Sequence, residues 1–210
     1  MEKHQTKELV FSLVLILIGI LFWVIKTKYF TYFFLAQDHF LNKFGYEIIG
    51  TILILIGIII IKRIYPFVYS LIAEVLAYII LAFNILEFIF HDFQIFKEIA
   101  AYLPFIMSLE LFFVSKILET GLRYFGNIEL SKKWKYFAVI IFFGFSIPYY
   151  FFTSLTLCGL IKYEGFKWTT KIIGLFIPFL IVVIFFFSYY LYYLIKSLRF
   201  LLKINKEKKE

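Results

Sequence analysis

The chain has 210 residues, 63% of them hydrophobic and 23% aromatic, with a formal net charge of +8. Soluble domains are about 45–50% apolar, and one core of this length cannot hide so much apolar surface, so the composition excludes an ordinary soluble fold. The cations are mostly lysines at the ends of apolar runs, and the only arginines are Arg63, Arg123 and Arg199. That pattern orients a membrane protein and speaks against nucleic acid as a partner.

A spanning helix needs about 20 largely apolar residues. Six such runs are predicted: Leu9–Ile25, Leu41 or Tyr46 to Ile61, Phe67–Phe90, Ile99–Ile117, Tyr136–Ile161 and Ile172–Ile195. The runs are continuous rather than alternating, which is the signature of helices and not of a barrel. The expected fold is all-α: a polytopic integral membrane bundle, residues 1–195, followed by a basic cytoplasmic tail, 196–210. No cleavable signal peptide is evident, because Lys26 and Lys28 follow the first run where small residues would mark a cleavage site.

Fifteen Lys and Arg fall on the side of the N-terminus and seven on the other. By the positive-inside rule both termini face the cytoplasm, with the cell membrane as the expected location. Between the first two spans, Lys26–Gly45 carries Tyr29, Phe33, Phe40 and Phe44 at near-helical spacing. An amphipathic helix lying in the outer interface is predicted there. The turn Lys62-Arg63-Ile64-Tyr65-Pro66 makes the second and third spans antiparallel neighbours. Two short echoes recur: Leu-Ile-Leu-Ile-Gly-Ile at Leu15–Ile20 and Leu53–Ile58, and Gly-x-x-Ile-Pro at Gly144–Pro148 and Gly174–Pro178.

Polar groups inside a membrane are costly and mark candidate sites. The third span carries a stripe of Ser70, Glu74, Ala77, Asn84 and His91, with Glu87 beside it. Such a stripe packs helices together or lines a site. Glu74 lies roughly 10 Å inside the cytoplasmic end of the third span, and Glu110 about as deep in the fourth. Two carboxylates at equal depth can share a proton, with at least one neutral; pairing with Arg63 or Lys116 is the alternative. A proton or cation site would draw on Glu74, Glu110, Asn84 and Glu87.

Outer-surface Glu87, His91, Asp92 and Glu98 are donors of the kind that hold a divalent cation, but at no established metal spacing; His91 and Asp92 are weak metal candidates. Pro148 and Pro178 each remove a hydrogen bond to the carbonyl four residues earlier, at Gly144 and Gly174, so paired hinge kinks are expected. The single cysteine, Cys158, has no histidine near it, and no nucleophile elbow, phosphate loop or dinucleotide fingerprint occurs. No cofactor is implied.

Three functions fit. The first is a non-catalytic membrane accessory, regulatory or assembly protein, whose partners are the lipid bilayer and other membrane proteins or further copies of itself. The second is a small proton- or cation-coupled transporter or channel using the buried Glu pair. The third, an intramembrane enzyme at Glu87, His91 and Asp92, lacks a complete set of nucleophile, base and orienting group.

Overall fold

The computed structural model describes residues 3–25, 40–90, 93, 98, 101–158 and 170–207. Among them the chain forms six helical rods and no strand. The rods are α1 (Lys3–Ile25), α2 (Phe40–Ile64), α3 (Val68–Ile89), α4 (Leu103–Tyr124), a composite of α5 (Ile128–Ile141), a π-helical turn (Phe142–Ser146) and α6 (Ile147–Leu157), and finally α7 (Thr170–Glu207). Two segments, Val68–Glu87 and Ile128–Leu155, are long and apolar enough to cross a membrane, with mean hydropathies of 2.0 and 1.7.

The closest packing is between α1 and α2, and glycine makes it. A Cβ on Gly19 would meet the Gly50 carbonyl oxygen and Ile54 Cγ1. A Cβ on Gly57 would meet the Ser12 carbonyl oxygen and Ile16 Cγ1. Each member of the second set lies 38 positions from its counterpart in the first, since Gly19, Ser12 and Ile16 correspond to Gly57, Gly50 and Ile54. The six-residue echo is therefore structural. It gives the antiparallel pair a local two-fold axis that exchanges α1 with α2. Small residues let the backbones approach, and Trp23 Nε1–H adds a cross-helix bond to Thr51 Oγ1 at 3.2 Å.

Chain punctuation fixes the remaining turns. Pro66 stops α2 from running into α3. Gly126, at φ 79°, ends α4. Its N–H donates to Arg123 O and that of Asn127 to Leu122 O, the paired bonds of a Schellman stop. Asn127 then caps α5, its side-chain oxygen accepting from the Leu130 N–H at 3.0 Å. Helix-to-helix bonds hold the second half together, among them Ser108–Ser146 at 2.8 Å, Ser115 to Tyr190 at 3.4 Å, and Trp134 Nε1–H to Ser197 at 2.9 Å.

One helix end differs from the expected one. The fourth helix does not end at Ile117. It runs to Tyr124, because Lys116 and Arg123 both reach Glu119 along the helix, at 2.6 and 4.0 Å. Charges that read as a terminus are thus a helical ion-pair series. Residue 196 falls inside the last helix. α7 continues unbroken to Glu207, and Ser197, Leu198 and Leu201 are buried against the bundle. The interfacial helix predicted over Lys26–Gly45 lies outside the described residues as far as residue 39, and from Phe40 the chain is already α2.

Candidate functional site between α3 and α4

The buried edge of α3 comprises Ser70, Ala73, Ala77, Ile80 and Asn84, at the three- and four-residue steps of one helical face. Ser70 satisfies itself by donating to Phe67 O at 2.7 Å. Direction around α3 decides the fate of its acids. Tyr69 meets α4, with its ring 6.4 Å from Phe113 and Lys116 Nζ 5.7 Å from its centroid. At about 100° per residue, Glu87 lies five full turns beyond Tyr69 and points the same way. Glu74 lies roughly 140° round from it, on the α2 side. There its Oε2 takes an ion pair from Lys62 Nζ at 2.5 Å.

Glu110 occupies the matching place on α4. Seven residues separate it from Leu103 and six from Lys116, which puts it about 10 Å from either position along the axis. The antiparallel register set by Tyr69 against Phe113 and Lys116 leaves Glu110 about level with Ala73 and Glu74, as the sequence implies. Level does not mean joined. Both carboxyl oxygens of Glu110 are fully buried without a hydrogen-bond partner, while Glu74 is held by Lys62. The shared-proton contact between the two carboxyls is not formed. The alternative pairing with an interfacial cation is realised for Glu74, by Lys62 rather than Arg63 or Lys116.

Asn84 is the second such group. Its Oδ1 and Nδ2 are both buried and unpartnered, and the residue is 0% exposed. A polar group buried without a partner costs about 1–3 kcal/mol, and native structures hold few of them. The buried hydroxyls behave otherwise: Ser12, Thr51, Ser115, Ser131 and Ser197 each donate to a backbone carbonyl.

Of the outer cluster, Glu87 is half-buried and Glu98 exposed, while His91 and Asp92 lie outside the described residues. Among the described residues no three His, Cys, Asp or Glu side chains gather as a metal would require. Pro148 follows the π-helical turn. In that turn the Ile147 N–H reaches back five residues to Phe142 O, and Ser146 Oγ donates to Ile141 O at 3.2 Å. The π turn is the signal that sequence reading missed, although a proline just after a Gly-Phe-Ser run marks its place. Pro178 falls within α7, and its side chain lies outside the described residues. A small apolar pocket opens between Leu13, Ile61, Ile117, Leu118, Leu122 and Leu201.

Glu110 on α4 and Asn84 on α3 are thus two separate unpaired polar side chains, about 15 Å apart along the helix direction, and the Lys62–Glu74 ion pair is turned to the α2 side. Compared with protein families, with curated proteins and with solved structures, the chain matches none.

Proposed function

We propose that this chain is a multi-pass cell-membrane protein with six transmembrane helices and both termini in the cytoplasm, serving as a non-catalytic accessory or assembly component. The observation that carries the membrane placement is the inversion of polarity across the helices. Midway along them Ile18, Ile52, Ile56, Val75, Tyr78, Ile140, Phe143 and Phe151 are exposed, whereas Ser12, Thr51, Asn84, Glu110, Ser115 and Ser146 are buried. Apolar surface spread in this way needs a lipid or protein neighbour, and in water the polar set would face outward. Helices other than the two that pass on length and composition join the membrane reading through the same inversion.

The accessory role is supported by how the interior polar groups are used. Trp23, Ser108, Ser115 and Trp134 tie one helix to another, which suits a rigid scaffold. Beyond the bundle, α7 carries exposed Lys196, Arg199 and Lys203 on a helix anchored by Leu198 and Leu201. That basic edge suits an acidic cytoplasmic segment of a membrane partner.

Single cysteines introduced at Lys28, Glu129 and Lys208 in a Cys158→Ser background test the topology. Only the first is expected to react with an impermeant maleimide from outside intact cells; labelling at Lys208 would reverse the orientation. Purification in mild detergent tests the role. A defined membrane partner, lost when Lys196, Arg199 and Lys203 become Glu, is expected. A wild-type chain that purifies alone as a monomer would sink the accessory reading. The second reading, a small cation-coupled transporter or channel, is favoured by Glu110 alone.

A further inference from the structure

We propose that the outward edge of α7 from Phe185 to Leu202 is the seam on which a single helix of a second membrane protein packs, and that this helix is apolar beside Phe185 to Ile195 and acidic beside Lys196 and Arg199. The proposal rests on the accessory reading and narrows it to one surface and one kind of partner. Phe185, Ser188, Tyr192, Ile195, Arg199 and Leu202 are exposed at alternating steps of three and four residues. Such steps keep side chains on one edge of a helix and are the spacing of a helix–helix seam. The opposite edge, with Tyr190, Leu194, Ser197 and Leu201, is buried in the bundle.

Spacing alone would suit lipid as well, and the far half of the edge decides between the two. α7 has 38 residues, about 57 Å of helix, against a hydrocarbon layer about 30 Å thick. On the proposed membrane placement much of it projects beyond the lipid tails. The Trp134–Ser197 bond sets Ser197 level with the start of α5, where Lys132 and Lys135 are exposed. Leu202 lies five residues further on, roughly 7.5 Å, and is 44% exposed. It continues the edge of Tyr192 and Ile195 without a change of spacing, past the level that lipid tails cover. The near half is ordered in advance. Tyr189, beside the edge, stacks on Tyr192 with ring centroids 6.2 Å apart, and its hydroxyl shares a hydrogen bond with that of Tyr193 at 3.3 Å. An aromatic pair already held in place loses little freedom on binding, and Tyr and Arg are frequent anchors of interfaces.

Charge selects the partner. Lys196 Nζ stands 5.7 Å from the Tyr193 ring centroid, and among the described residues neither Lys196 nor Arg199 has an acidic partner. Lys62, Lys116 and Arg123, by contrast, are engaged with Glu74 and Glu119. A second copy of this chain fits poorly. A two-fold axis parallel to α7 would set Arg199 against its own copy with Lys196 beside it, and like charges so placed repel. Asp or Glu on the matching turn of a different chain removes that penalty and fixes its register along the seam.

The test uses the full chain in its native cells, with a photoreactive benzophenone amino acid placed at Tyr192 or Leu202 on the seam, and at Val75 or Phe143 on exposed surface elsewhere. After irradiation the crosslinked peptides are sequenced by mass spectrometry. Both seam positions are expected to join one and the same other polypeptide, Tyr192 at an apolar stretch and Leu202 at an adjoining stretch that carries Asp or Glu. Val75 and Phe143 are expected not to join it. K196E combined with R199E should cut the seam yield about tenfold or more, and exchanging the partner's acid for Lys should restore it. K196Q with R199Q removes the charge without adding repulsion and should lose less. Seam crosslinks to lipid alone, to a second copy of this chain, or at a yield indifferent to the charge changes would overturn the proposal. A protein that copurifies in mild detergent but crosslinks only from Val75 or Phe143 would overturn the seam and leave the accessory role standing. Lipid-only crosslinks with no copurifying protein would remove both.

Discussion

Gly19 and Gly50 lie backbone against backbone: a methyl group on Gly19 would come within 2.5 Å of the Gly50 carbonyl oxygen. Overpacking a tight contact costs about 1–3 kcal/mol, and here the obstacle is a backbone atom that cannot rotate away. Gly19→Ala and Gly57→Ala are each expected to lower the Tm of the detergent-solubilised protein. Gly121→Ala is the control, since nothing lies within 4 Å of its added carbon. It should be neutral or raise Tm, by up to about 1 kcal/mol, through better helix propensity. Equal losses at all three positions would contradict the close-contact account.

Trp134 is fully buried, donates its indole N–H to Ser197 at 2.9 Å, and stands edge-on to the Tyr190 ring at 5.0 Å. Ser197→Ala strands that donor. The expected loss is about 1–3 kcal/mol, whereas Ser197→Thr keeps an acceptor and should lose less. Chemical denaturation followed by tryptophan fluorescence distinguishes the two, and an Ala variant as stable as wild type would remove this tie.

Tyr65, in the turn between α2 and α3, has its phenol pushed up to about 12 by burial first and by neighbouring Tyr124 second. A raised value in the folded state means that the neutral phenol is favoured by folding. Its contribution is complete below the unfolded value, near 10. It is lost as pH rises through about 12. Stability should therefore fall across that alkaline window, and Tyr65→Phe should flatten part of the fall. The check is a Tm series over pH alongside the phenolate absorbance. A Phe variant with an unchanged alkaline slope would assign the loss to other groups.

The Lys62–Glu74 pair joins the end of α2 to the start of α3, with the two side chains 37% and 15% exposed. Pairs with this much solvent access are typically worth about 0–1 kcal/mol. A double-mutant cycle with K62Q and E74Q should return a coupling in that range. A coupling several times larger would place the pair in a much drier setting than its exposure indicates.

Much of the architecture was legible in the sequence, because helices in an apolar setting are written as uninterrupted apolar runs and their ends as charges and prolines. α1, α3 and the Pro66 turn follow that rule closely. It misled at α4, where Lys116, Glu119 and Arg123 resemble an ending yet pair along a continuing helix. The depth of Glu74 and Glu110 was also legible, since depth is a count of residues. Their separation was not. It depends on the angle around α3 at which α2 and α4 pack, and neighbouring helices set that angle. The π turn before Pro148 was hidden for a related reason: proline announces a lost hydrogen bond but not how the backbone recovers it.

On the proposed membrane placement, the two-fold axis within the α1–α2 hairpin bears on how the chain enters a bilayer. A half-turn about that axis swaps the helices and reverses their direction, yet sets Gly57 where Gly19 stood and Gly50 where Ser12 stood. Within the six-residue echo the close packing is the same in either orientation, so that contact does not choose between the two. Flanking charge barely chooses either, with Lys3, Lys7, Lys62 and Arg63 at one end against Lys26, Lys28 and Lys43 at the other. On the proposed membrane placement, the choice of orientation then falls to the cations from Lys116 to Lys135, which emerge later in synthesis.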